Sequence, residues 1–92
     1  MLNQRIRELR TLRSISQVEL ADALGVTKQS VSNWENDNIQ PSIDILIKLA
    51  KYFNVSTDYL LALDDREVLD VSGLSKEAVT HMRMLIEDFR NI

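Results

Sequence analysis

Between Asp22 and Glu35 the chain carries no carboxylate, and inside that gap lies the run Lys28-Gln29-Ser30-Val31-Ser32-Asn33-Trp34. At helical spacing Val31 and Trp34 fall on one face and Lys28, Gln29, Ser32, Asn33 and Asn36 on the other. A solvated helix face is ordinarily rich in Glu, Lys and Arg, whereas this one is rich in amides and hydroxyls. Those groups read base edges: lysine donates to guanine O6 and N7, and Gln or Asn pairs through two bonds with adenine N6 and N7. The missing acids serve the same chemistry, since a carboxylate here would repel phosphate. No competing chemistry is visible. The absence of cysteine excludes a disulfide framework, a thiolate zinc site and a cysteine nucleophile. His81 stands alone and reads as an exposed helix residue, so no metal site is expected. The acids and hydroxyls assemble no nucleophile–base–orienter set, so neither a cofactor nor a catalysed reaction is expected.

A helix that presents such a face must be held by others. Ile6, Leu9 and Leu12, with Leu2, predict a first helix over residues 2–13. Ser16 and Glu19 make a capping box for a second, with Ile15 and Leu20 at staple positions and Gly25 as its left-handed stop. Thr27 caps the helix bearing the amides. Ser42 caps a fourth over residues 43–53, with Ile43, Leu46, Leu49, Ala50 and Phe53 on one face. Ser56 caps a short fifth through about Leu61. Residues 64–74, with the charge run Asp64-Asp65-Arg66-Glu67 and the turn pair Ser72-Gly73, read as a linker with a short extended piece at Val68–Val71. Ser75 caps a last helix over residues 76–90. No strand pair is evident, so the expected class is all-α: five helices, then a C-terminal one.

The chain has 92 residues, enough for one core, with 45% hydrophobic and 27% charged residues. No apolar run approaches the ~18 residues of a membrane span, and no signal segment is evident, so the expected location is the cytoplasm and no membrane partner is expected. The net charge of −3 disfavours a polyanion as partner. Its distribution softens that objection, because residues 1–63 are balanced and the excess acid lies in residues 64–92. Arg5, Arg7, Arg10 and Arg13 crowd the first helix, and local sign dominates inside a Debye length of ~10 Å.

The run from Ser16 to Asn36 (SQVELADALGVTKQSVSNWEN), followed by Pro41-Ser42 and by Leu49-Ala50-Lys51-Tyr52-Phe53-Asn54-Val55-Ser56-Thr57-Asp58-Tyr59-Leu60-Leu61, resembles the lambdoid repressor/Cro-type helix-turn-helix family. The likeness covers residues 3–63 or so. It implies a five-helix domain over residues 1–63 whose third helix enters the major groove of double-stranded DNA. By position it implies base contacts from Lys28, Gln29, Asn33 and Ser32. It implies backbone contacts from Gln17, Thr27, Asn36, Asn38 and Gln40, with Gln17 also bracing the third helix. Arg10 and Glu35 occupy places where the family often has a partly buried ion pair, and Trp34 reads as core. Asp37 departs from the family, which often has glycine there, and puts the loop conformation in question.

The last helix carries a second apolar stripe, Val79, Met82, Leu85, Ile86 and Phe89. It either packs on its own domain or joins two copies. The family acts mostly as dimers, so residues 75–92 are expected to dimerise, with Ile45 and Tyr52 of the fourth helix as a receiving surface. The expected function is repression by a homodimer on a two-fold operator. Two other readings stand beside it: an antitoxin or mobile-element regulator that also holds a protein partner, and a protein-interaction module that binds no DNA.

Overall fold

The computed structural model describes residues 1–92 and contains six helices and no strand: α1 (Leu2–Leu12), α2 (Gln17–Leu24), α3 (Lys28–Glu35), α4 (Ile43–Phe53), α5 (Thr57–Leu60) and α6 (Lys76–Arg90). The expected all-α class holds. Local caps explain where the helices begin. Ser16 Oγ accepts from the Glu19 amide at 3.0 Å while Glu19 Oε1 accepts from the Ser16 amide at 3.1 Å, completing the capping box. Thr27, Ser42, Ser56 and Ser75 each accept from the amide three residues on, at 3.1, 3.3, 3.0 and 3.1 Å.

The helix ends share one geometry. After each of α1 to α5 a residue takes left-handed φ: Ser14 (56°), Gly25 (72°), Asp37 (59°), Asn54 (55°) and Ala62 (61°). The amide after each bonds five residues back, as Ile15 to Arg10, Val26 to Ala21, Asn38 to Asn33, Val55 to Ala50 and Leu63 to Asp58. This is the Schellman closure. Asp37 therefore adopts the conformation that glycine would favour, with Gln40 Nε2 donating to its carboxylate at 3.2 Å. The loop question raised by that residue is settled in favour of the glycine-like turn.

Ile6, Leu20, Ala21, Leu24, Val31, Trp34, Leu49, Ala50, Phe53 and Leu60 form one buried cluster. Every buried residue thus lies between Ile6 and Leu60, and Trp34 is core as expected. Leu12 and Ile43, expected on the inward faces of α1 and α4, are instead 81% and 76% exposed. Each sits at a helix end where the stripe runs past the last element able to cover it, and Ile15 rather than Leu12 packs on the cluster. Ile45 and Tyr52 are half-buried and pack partly against their own core, and α6 of the same chain does not cover what remains exposed of them.

Beyond Leu60 the packing thins. Arg5 Nη2 holds Asp65 at 2.8 Å. Val68 to Ser72, without regular structure until the turn at Ser72, lie across a shallow depression from the α4–α5 turn, and the Asp70 carboxylate accepts from the Ser72 amide at 2.9 Å. Helix α6 has no buried residue. Its stripe borders a shallow groove shared with Leu69 and Val71, and Met82, Leu85, Ile86 and Phe89 are exposed. The radius of gyration is 15.0 Å, against about 12 Å for a compact chain of this length, because α6 stands off the domain. No helix is long and apolar enough to cross a membrane.

Candidate nucleic-acid interface

The turn into α3 is tight. Gly25 ends α2 at positive φ and Thr27 caps α3 two residues later. Such a turn fixes the angle between the two helices. Val31 and Trp34 then point into the core and the opposite face is presented outward.

On that outer face Lys28 is exposed and makes neither a hydrogen bond nor an ion pair within the chain. Gln29 is exposed and its Nε2 donates to Asn33 Oδ1 at 3.1 Å. This leaves Gln29 Oε1 and Asn33 Nδ2 open, an acceptor and a donor on adjacent turns. Asn36 Nδ2 donates to Ser32 Oγ at 3.3 Å. Ser32 and Asn33 are half-buried. Thr27 is exposed at the start of α3 and Asn36, Asn38 and Gln40 at and beyond its end, although the Thr27 hydroxyl already caps α3 and lies 3.0 Å from Ser30 Oγ. Ser30 is half-buried beside it. The structure thus gathers Lys28, Gln29, Ser32 and Asn33 on the outer side of one helix, with Thr27 at its start and Asn36, Asn38 and Gln40 at its end.

Gln17 sits differently. Its Nε2 donates to Glu35 Oε1 at 3.3 Å, so the amide ties the start of α2 to the end of α3. Glu35 is the hub of the site: its side chain is fully buried, at 0% exposure. Arg10 embraces it with two bonds, Nε to Oε2 at 2.7 Å and Nη2 to Oε1 at 2.9 Å, and Arg10 Nη1 also donates to the Ile15 carbonyl at 2.9 Å. Burial pushes the Glu35 carboxyl up, but the donors Arg10, Gln17 and Arg7 outweigh it and hold it below the ordinary carboxylate value. The hydrogen bond from Arg10 to Glu35 raises the guanidinium above its own ordinary value, against desolvation. No buried side-chain polar atom lacks a partner. The expected Arg10–Glu35 pair is present, and it locks α3 to α1.

Sequence reasoning missed Arg7. Its Nη2 donates to the Glu35 carbonyl at 3.4 Å and to Asn36 Oδ1 at 3.2 Å, and its Nε lies 3.5 Å from Glu35 Oε1. The signal was its spacing, three residues before Arg10 on the same helical side. The other arginines of α1 are held elsewhere. Arg5 stacks 3.9 Å over the Tyr59 ring and Arg13 donates to the Tyr52 carbonyl at 2.9 Å. The cluster of four arginines is therefore mostly a set of packing and pairing contacts.

Comparison with known proteins fits this geometry. The Helix-turn-helix family model matches residues 6–60, the span that holds the whole buried core. The HTH-type transcriptional regulator ImmR of Bacillus subtilis (strain 168) is 41% identical over 87 residues, which are 95% of this chain and 68% of that protein. Among solved structures, the P22 c2 repressor in complex with a synthetic operator superposes with a TM-score of 0.66 at 34% identity, covering 70% of this chain and 97% of the repressor chain. A chain of the SinR/SinI protein complex superposes with a TM-score of 0.63 at 29% identity, and all of both chains is covered.

Proposed function

Because the chain belongs to the helix-turn-helix family, we propose that it binds double-stranded DNA through the outer face of α3 and represses transcription as a homodimer on a two-fold operator. Lys28, Gln29, Ser32 and Asn33 read base edges in the major groove. Gln17, Thr27, Asn36, Asn38 and Gln40 meet the sugar–phosphate backbone, with Gln17 acting partly through its bond to Glu35. The observation that carries this reading is an acid-free, amide-rich face on a helix locked from behind by Glu35. The operator complex of the P22 c2 repressor supports it, since the likeness spans nearly all of that chain.

Homodimerisation through Val79, Met82, Leu85, Ile86 and Phe89 rests on the exposure of the last four, on a helix with no buried residue. A single helix of this kind reads few base pairs, and two copies a turn of DNA apart (~34 Å) give useful specificity. Selection of bound sites from a random duplex pool tests the whole reading. A two-fold consensus is expected, and a pool that never enriches one sequence would refute it. A second reading, in which α6 also holds a different protein, draws on the likeness to a SinR/SinI complex chain over the full length, α6 included. Co-purification with a partner that leaves DNA binding by residues 1–63 intact would favour it.

A further inference from the structure

We propose that Arg7 is a phosphate-binding residue of the DNA interface, an inference that rests on the reading of α3 above. The argument is one of charge and free donors. Two guanidiniums, Arg7 and Arg10, converge on one carboxylate, Glu35. Arg10 engages both carboxylate oxygens at 2.7 and 2.9 Å, with its side chain 15% exposed. Arg7 reaches the same group only at 3.5 Å and its side chain is 53% exposed. The trio carries a net charge of about +1, and the surplus belongs to the arginine that faces solvent.

The donors agree with the charge. Nε and Nη2 of Arg7 are directed at Glu35 and Asn36, while Nη1 has no partner in the chain. A planar guanidinium held at one edge presents its other edge in a fixed direction, which suits a phosphate oxygen. The place is also right. Asn36 lies at the rim of α3, and its Oδ1 is 3.2 Å from Arg7 Nη2, so a phosphate at Asn36 is within reach of Nη1. Asp37, the next residue, accepts from Gln40 and forms no ion pair with Arg7, so it does not take up the free edge of the guanidinium. Arg5 and Arg13 do not compete, because Arg5 is paired with Asp65 and Arg13 lies on the Tyr52–Phe53 side of the domain.

The test is the salt dependence of binding to a random duplex by the full chain, with circular dichroism to check folding. Each neutralised phosphate contributes roughly 0.9 to the slope of log K against log salt. Arg7→Gln should lower the slope by about that amount for each protomer bound. Arg13→Gln, which removes the same charge away from α3, should leave it unchanged. Arg7→Lys keeps the charge and should keep the slope while losing some thermal stability. An unchanged slope in Arg7→Gln, an equal fall in Arg13→Gln, or a reduced slope in Arg7→Lys would each overturn the assignment. If the unaltered chain bound duplex with no salt dependence, the DNA reading itself would fail, a result separable from failure of Arg7 alone.

Discussion

Glu35 is where three helices meet, and its chemistry yields two expectations. Removing Arg10 alone leaves a buried carboxylate short of its main donor. Arg10→Met should cost about 3–5 kcal/mol, whereas Arg10→Met with Glu35→Leu should recover most of that, because well-packed apolar pairs replace buried ion pairs at little cost. Thermal melts of the four combinations measure the coupling, and additive effects would show that the pair does not act as a unit. Because the folded-state carboxyl lies below its ordinary value of 4.5, its contribution is fully present above about that pH and is lost as pH falls through the depressed folded value. Lowering pH from 6 to 3 should therefore destabilise the unaltered chain more steeply than Glu35→Gln. Base readout belongs to the same scale. Gln29→Ala or Asn33→Ala should each cost about 1–3 kcal/mol on the selected site and relax preference at one base step, measured by competition against single-base variants.

The elements begin and end by different rules, and this governs both their stability and their legibility. Left-handed φ at an L-residue costs roughly 1–2 kcal/mol, and glycine's added chain entropy returns about half of that. Ala62→Gly and Ser14→Gly should each stabilise by about 0.5–1 kcal/mol in urea titrations. Gly25→Ala should destabilise by a similar amount through conformation alone, since an added Cβ meets no atom within 4 Å. Helix starts were readable in the sequence because a cap is a local bond: Ser16 with Glu19, and Thr27, Ser42, Ser56 and Ser75, each sit where the structure uses them. The ends at Ser14 and Ala62 were not marked by residue type, because a bond from five residues back imposes the left-handed turn. The polar face of α3 followed from periodicity alone. Arg7 did not, because spacing cannot say which of two arginines takes the carboxylate and which is left facing water. Periodicity also misplaced Leu12 and Ile43, since it carries no information on where the neighbouring elements stop.

At the scale of the whole molecule, the core closes at Leu60 and α6 is left outside it. Truncation after Asp70 should leave a folded domain with a melting transition close to that of the full chain, but one that sediments as a smaller species and binds the operator more weakly. Sedimentation equilibrium of both forms at tens of micromolar measures this, and a monomeric full chain would remove α6 from the assembly. Leu85→Glu should act like the truncation on association while leaving the domain's melting unchanged. A 15-residue helix with no buried side chain has little to hold it in water, because isolated helices of that length are marginal. Its order must then come from whatever covers its stripe. In a homodimer, each protomer's tail is folded by the other's, so dilution should unwind α6 at the same time as it separates the pair. Far-ultraviolet ellipticity would then vary with concentration at constant temperature. Operator occupancy in a cell would rise more steeply than in proportion to copy number, a thresholded response arising from a helix that cannot stand alone.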